Sequence, residues 1–333
     1  MYSNSDVINL LEEYVFDFIL NLVDNKKKKK KYFTKNKIIE TTRLFYIIEI
    51  VWRNINNNVY TTLRQIFYTN PQLFISQNIS NRTIGKLTKI IKKPRELLNI
   101  YNTPKGTIRG NVLLKEKNLS IWVDCMNNFE LRGHLICPFG ITEIHIFPDV
   151  KYVLIIEKET IYYKLLQSNF ISKYGPSILI TAKGFPDINT RQLIFELHKK
   201  KKDLNFFCLT DYDAYGLNIA FTYSSKFESK VYYVEDISIQ KLCWLNVFTP
   251  DEAIQKKALK EIDCNKLTLK DIRMLDNVCK KLKNNTKFTT EETHHWLKHI
   301  NTMKKCGLKY ELDAIIDMEK CLDTKIKELL QIQ

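Results

Sequence analysis

Three carboxylates carry the clearest chemical signal in this sequence. Glu157 ends an apolar run (VLIIE), Asp211 ends another (FFCLTD), and Asp213 follows two residues on. Residues i and i+2 of an extended segment point to the same side, so both aspartates can face one ion. Magnesium takes hard oxygen ligands, keeps several waters and shares its shell with substrate phosphates, which makes the three acids candidate ligands for Mg²⁺. Without a metal the same residues are an acidic strand end followed by a turn, DYDAYG. A second constellation, HHWLKH over 294–299, sets His295 and His299 four residues apart. It lacks the glutamate of the H-E-x-x-H pattern and a third ligand, so no zinc site is expected. No residue is singled out for an organic cofactor.

The elements around the acids fix where they stand. Short β-rich runs at 152–156, 177–181, 205–210 and 230–234 alternate with helical stretches at 162–170, 190–199 and 217–223. That alternation predicts βαβ units and a mostly parallel sheet, in which ligands collect at the carboxyl ends of strands. Residues 238–333 read as mainly helical, an extension of that domain. Before residue 145 the pattern differs. Helices are expected at 41–53, 60–66, 81–91 and, from Pro94, 92–100, followed by a β-hairpin over 103–114 (TPKGTIRGNVLL) with two glycines. Three helices and a hairpin are the layout of a winged helix, which makes Arg82, Lys86 and Lys89 on the 81–91 helix candidates for DNA contact. On residue types alone they could equally be a solvated helix face.

Residues 7–23 repeat apolar side chains at helical spacing, and the lysine run 26–31 separates this helix from the next segment. Two readings stand open: docking on its own core, or docking on a partner subunit. The run itself could be a nuclear-import signal, a phosphate-binding tether or a solvated insert. Lys and Arg number 52 against 37 Asp and Glu, a formal charge of +15, which favours a polyanionic partner; nucleic acid fits best. No apolar run suits a membrane span or a secretory leader, Glu12, Glu13 and Asp17 interrupting the first helix. The eight cysteines are scattered without a CxxC pair and read as reduced, packed thiols.

The runs VLIIEKET, TAKGFPDINTR (181–191) and LTDYDAYG (209–216) together resemble the Toprim domain of the topoisomerase VI A subunit and of its eukaryotic meiotic double-strand-break relative. KGFPDINTR is the most specific piece; Ala182 stands where that family usually has glycine. The segment 56–74, NNNVYTTLRQIFYTNPQLF, is similar to the family's nucleophile motif, with Gln65 where an aspartate is usual. On that match Tyr68 is the attacking residue and Arg64, one helical turn earlier, its cationic neighbour. Taken alone, Tyr68 is one of 17 tyrosines and would be read as a packed aromatic. Tyr60 and Phe67 are assigned to the core. Lys105, in TPKGTIRG, matches a family position and is implied to contact DNA or the tyrosine's phosphate; an ordinary loop lysine is the other reading. Further likeness at 241–252 (KLCWLNVFTPDE) and 304–315 (KKCGLKYELDAI) extends the match over nearly all the chain after residue 40.

The resemblance implies a fold and a chemistry. The fold is α+β to α/β: after residues 1–31, a winged-helix (CAP-like) DNA-binding domain over 32–145 carries the tyrosine, and a Toprim domain over 146–333 carries Glu157, Asp211 and Asp213 with a helical C-terminal extension. The chemistry is an Mg²⁺-dependent cleavage of double-stranded DNA by a nuclear homodimer, each protomer joining Tyr68 to a 5′ phosphate. The implied partner is an ATPase-type topoisomerase VI B-like subunit, reached through 7–23. The lysine- and asparagine-rich composition favours the meiotic branch; the A subunit of a decatenating topoisomerase VI is the alternative. A water-using Toprim nuclease and a catalytically silent DNA-binding module remain competing classes.

Overall fold

A computed structural model describes residues 4–24, 34–117, 119–127, 132–226, 236–239, 241–284 and 288–331. The lysine run 26–31 and the expected strand 230–234 lie outside the described residues. The described chain divides into two compact units: the first holds the residues up to Thr103 together with Asp236, the second Pro104–Lys226 and the residues from Ile237 on.

The first unit is helical. It comprises α1 (Asn4–Asp24), α2 (Lys35–Asn56), α3 (Leu63–Thr69), α4 (Pro71–Phe74) and α5 (Gln77–Ile91), closed by a 3₁₀ turn at Arg95–Leu98. Two short parallel strands, β1 (Thr61–Thr62) and β2 (Ile100–Tyr101), tie the start of α3 to the unit's end. Leu44, Ile47 and Val51 of α2, Ile66 of α3, and Ile84 and Leu87 of α5 form its core. Helix α5 stops where Lys92 turns left-handed (φ 52°) and Pro94 forbids a further turn. Helix α1 docks on this core through Val7 and Leu11, with Trp52 Nε1 donating to Glu12 at 3.0 Å and Phe18 set edge-on against Phe45. Self-docking therefore uses one face of α1. Phe16, Ile19, Leu20 and Val23 remain exposed on the other.

The second unit is built on a six-stranded sheet. Its first strands are β3 (Thr107–Gly110) and β4 (Val112–Glu116), then β5 (Trp122–Asp124), β6 (His134–Leu135) and β7 (Ile141–Ile146). The parallel strands come next: β8 (Tyr152–Ile156), β9 (Ser177–Thr181), β10 (Asn205–Leu209) and β11 (Leu242–Leu245). The central order is β11-β10-β8-β9-β3-β6, with β8 to β11 parallel and β3 antiparallel to β9. Every residue of β8 and β9 is buried, as expected of parallel strands covered on both faces. Helices α6 (Glu159–Gln167), α7 (Phe170–Tyr174), α8 (Ile188–Lys200) and α9 (Ala214–Ser224) connect the strands. Four more, α10 (Pro250–Gln255), α11 (Leu269–Lys283), α12 (Thr290–Cys306) and α13 (Met318–Gln331), make the C-terminal part mainly helical.

Two expectations change here. Residues 103–114 do not form a hairpin: β3 pairs with β9 and β6, whereas β4 pairs with β5 and β7 in a separate three-stranded sheet. The glycines serve close approach rather than reversal. A side chain at Gly106 would strike Thr190, and one at Gly110 (φ 144°) would strike the backbone at Ser177 and Ile178. The division at Thr103 and Pro104 also differs from the expected one at 145–146, because Ile108, Val112, Leu114 and Ile144 are buried in the same core as β8 and β9. Among the described residues no helix is long and apolar enough to cross a membrane, and the eight cysteines are unbridged.

Candidate active site

Helix α3 is short, and its start is fixed by a reciprocal cap. Thr62 Oγ1 accepts from the Gln65 backbone N–H at 3.2 Å, and the Gln65 side chain accepts from the Thr62 N–H at 2.7 Å. Gln65 thus has a structural task that an aspartate's carboxylate could also perform. Ile66 faces the core, Phe67 is half-buried against it, and Tyr68 points outward at 58% exposure. Tyr60 is also half-buried, edge-on to Tyr101. The Arg64 guanidinium carbon lies 5.7 Å from the centre of the Tyr68 ring, as one turn of helix predicts. Among the described tyrosines, Tyr68 is the only exposed one. On α5, Arg82, Lys86 and Lys89 are exposed opposite buried Ile84, Leu87 and Ile91; Lys86 reaches Glu40 at 4.0 Å.

In the second unit the acids gather at the carboxyl ends of the parallel strands. Glu157 follows β8, and its N–H donates to Leu209 O at the end of β10. Asp211 follows β10, and its own N–H reaches Glu157 Oε2 at 3.2 Å. Between the aspartates, Tyr212 is buried, stacked between Trp244 and Tyr310 and bridged by backbone to the latter. Burial of Tyr212 anchors the D-x-D segment and leaves Asp211 and Asp213 on its less buried side. Asp213 caps α9, Oδ1 accepting from the Gly216 N–H at 2.6 Å. Asp211 Oδ1 accepts from the Leu312 N–H at 2.8 Å.

Burial, and after it the crowding of like charges, shows in their protonation. Burial first, then the charges of Asp211 and Asp213, pushes Glu157 up to about 7. Asp211 and Asp213 are also raised, by burial, although N–H donors and Lys158 partly offset this for Asp211, as the Gly216 N–H does for Asp213. A lysine sits in the cluster as well: Lys158 Nζ lies 3.1 Å from Asp211, 2.9 Å from Glu311 and 2.8 Å from Asp313. Burial opposes its charge, but the hydrogen bonds to Asp313 and Glu311 outweigh that and hold it protonated well above the usual lysine range.

The donor set suits a hard cation: oxygen only, partly desolvated, with negative charge in excess of its neutralising partner. It is not a closed cage. Among the described residues no three acidic, histidine or cysteine side chains are arranged to hold an ion by themselves. A magnesium ion that keeps waters and shares a substrate phosphate needs no such cage.

The stretch 181–191 wraps the same strand ends. Lys183, left-handed at φ 55°, pairs with Glu159 at 2.8 Å, and the Gly184 N–H donates to Glu157 O at 2.9 Å. Asp187 caps α8, accepting from the Thr190 N–H at 2.7 Å, and buried Arg191 donates to Ser225 O. Lys105 Nζ donates to Phe185 O at 2.6 Å, so the implied DNA lysine sits on this loop. His295 and His299 pack ring to ring, Nε2 to Nε2 at 3.2 Å, with His299 edge-on to Trp244. Sequence reasoning passed over Lys158, Glu311 and Asp313. Their signals were present: a lysine adjoining Glu157, and an E-x-D inside the matched run KKCGLKYELDAI.

Comparison with known proteins gives the family. Residues 152–329, more than half of the chain, match the family described as the Toprim domain of the topoisomerase 6 A subunit and Spo11. The chain belongs to the topoisomerase 6 A-subunit/Spo11 family. Residues 40–100 match a second description, "Type IIB DNA topoisomerase". Within the family, "Meiotic recombination protein SPO11" of Mus musculus is 29% identical over 270 residues, 81% of this chain and 65% of the relative. "Meiotic recombination protein SPO11-1" of Arabidopsis thaliana is 28% identical over 298 residues, 87% of this chain and 78% of the relative. The A subunit of DNA topoisomerase 6 from Arabidopsis thaliana is 24% identical over 302 residues, 91% of this chain and 68% of the relative. The match thus spans 65% of the length of the mouse relative. The Toprim segment holds Glu157, Asp211, Asp213, Lys158, Glu311 and Asp313, and the type IIB segment holds Arg64 and Tyr68.

Proposed function

We propose that this chain is the DNA-cleaving subunit of a nuclear, magnesium-dependent transesterase that makes 5′-phosphotyrosyl double-strand breaks and so initiates meiotic recombination. The observation that carries the reading is Tyr68: the sole exposed tyrosine of those described, beside Arg64, inside a segment matching type IIB topoisomerases. The Tyr68 oxygen attacks the scissile phosphorus as the phenol loses its proton. The bond to the 3′ oxygen breaks, and that oxygen takes up a proton to become a hydroxyl. Arg64 offsets charge on the phosphate oxygens. Glu157, Asp211 and Asp213 are the residues that would hold Mg²⁺, which supplies positive charge to the phosphate undergoing transfer.

In this reading the helical unit over 34–103 acts as the DNA-binding domain, α5 laying Arg82, Lys86 and Lys89 along the duplex, and Lys105 adds a phosphate contact. Such contacts position DNA without reading bases, so sequence preference is slight. Two copies assemble, each cutting one strand, with Tyr68 of one copy served by the acids of the other. An ATPase-type B-like subunit docks on α1. An apolar groove of about 680 Å³ between α1 and α2, lined by Leu11, Val15, Phe16, Ile19, Phe45 and Trp52, supports that surface.

Protein, supercoiled DNA and Mg²⁺ quenched with detergent should yield protein-linked DNA ends, with none from Tyr68→Phe. Nicks that persist in Tyr68→Phe would indicate a water-using nuclease instead. A second reading, the A subunit of a decatenating topoisomerase VI, draws on the plant topoisomerase relative, which covers 91% of this chain but at 24% identity against 28–29% for the meiotic relatives. Strand passage in the presence of the B-like subunit would select it.

A further inference from the structure

The acid cluster contains its own cation. Lys158 Nζ touches three carboxylates, and only one of them, Asp211, belongs to the proposed magnesium set. The other two, Glu311 and Asp313, lie in the turn after β12 (Leu308–Lys309) and are 73% and 51% exposed. The turn is tied to the site at two points: Leu312 N–H donates to Asp211 Oδ1, and Tyr310 bridges Tyr212. Lys158 itself is only 23% exposed and is the residue directly after Glu157.

We infer that Lys158 is a tethered competitor of the divalent cation at Asp211, and that Glu311 and Asp313 form the parking site that sets how strongly it competes. The inference rests on the reading of Asp211 as a metal ligand. A divalent ion approaching Asp211 meets the lysine charge about one hydrogen-bond length away, which opposes its binding. Because Lys158 has two further anionic partners, moving off Asp211 need not leave it unpaired; it stays on Glu311 and Asp313. Those two acids therefore favour the ion-accepting arrangement although they do not hold the ion. The consequence is a weak cation site in the absence of DNA, emptied by an internal charge and filled when a substrate phosphate adds its own oxygens to the shell.

The competitor and its parking site must act with opposite signs. With Mn²⁺ alone as the probe, titrated into the full-length protein by calorimetry and by loss of the free-ion paramagnetic signal, Lys158→Met should tighten binding by about tenfold. Glu311→Gln combined with Asp313→Asn should weaken it by a similar factor, as the lysine transfers fully to Asp211. Both sites are partly exposed, so thermal melting is expected to show folded protein throughout, and Asp211→Asn should abolish binding. If both variants shift affinity in the same direction, or Lys158→Met leaves it unchanged while Asp211→Asn abolishes it, the lysine is structural and the inference is overturned. If Asp211→Asn leaves Mn²⁺ binding intact, the metal reading and the inference fall together.

Discussion

The two units carry the proposed reactive groups in opposite physical settings. Tyr68 stands on a seven-residue helix, 58% exposed, and nothing in its own unit's core depends on its hydroxyl. Glu157, Asp211 and Asp213 lie at the ends of strands with no exposed residue, and each is raised by burial. The proposed nucleophile must reach its substrate, which exposure allows. A cluster of like charges must be held together against repulsion, so it is built into backbone N–H donors and a buried aromatic stack. The expected cost of substitution differs accordingly.

The sharpest way to break this contrast is to exchange tyrosines. Tyr68→Phe should lower covalent adduct formation by at least about a thousandfold. It should leave thermal stability within about 0.5 kcal/mol, since the lost hydroxyl is at the surface. Tyr212→Ala, which empties the stack between Trp244 and Tyr310, should cost about 3–5 kcal/mol in denaturant unfolding. Equal stability losses for the two would refute the division between displayed and embedded chemistry.

The next effect concerns pH. Glu157 titrates near 7 when folded, against 4.5 for its ordinary value, so the folded protein holds the proton more tightly than the unfolded chain. Its contribution to stability is present below about 4.5 and is lost as pH rises through about 7. At pH 8 Glu157→Gln should therefore be more stable than the parent, by roughly 1–3 kcal/mol. The gain should shrink below pH 5 and in millimolar Mg²⁺. A variant less stable than the parent at pH 8 without metal would mean that burial and neighbouring carboxylates do not strain the Glu157 charge.

A smaller effect tests the helix that displays the tyrosine. Gln65→Ala removes half of a reciprocal cap and should cost about 1 kcal/mol, whereas Gln65→Asp should stay within about 0.5 kcal/mol. On the neighbouring α5, Arg82→Ala with Lys86→Ala should reduce the slope of log affinity against log salt by up to about 2 for non-specific duplex DNA. An unchanged slope would remove those two side chains from the DNA interface. Smallest of all, Phe16→Glu with Ile19→Glu should leave melting within about 0.5 kcal/mol. It should abolish co-purification with an ATPase-type partner, and unchanged co-purification would release α1 from that role.

Legibility in the sequence followed the same divide. Strands 152–156, 177–181 and 205–209 were readable almost to the residue, because parallel strands buried on both faces are continuous apolar runs that little else imitates. Acids at their ends were visible for the same reason. Residues 103–114 misled: Gly106 and Gly110 look like turn residues, and only the nearness of Thr190 and of the β9 backbone reveals them as points of close approach. The unit boundary moved with them. Lys158, Glu311 and Asp313 were invisible as a group because more than 150 residues separate the lysine from the acids that grip it. Tyr68 was legible only through motif resemblance, since the property that sets it apart, exposure, is not written in residue type.

The central claim is that Tyr68 becomes the covalent end of a broken DNA strand. The most direct measurement is peptide mass spectrometry of nuclease- and protease-digested adducts formed with Mg²⁺. The account predicts a nucleotide joined through its 5′ phosphate to the peptide containing Tyr68, and its disappearance in Asp211→Asn. Attachment at another residue, attachment through a 3′ phosphate, or cleaved DNA without any adduct would contradict it.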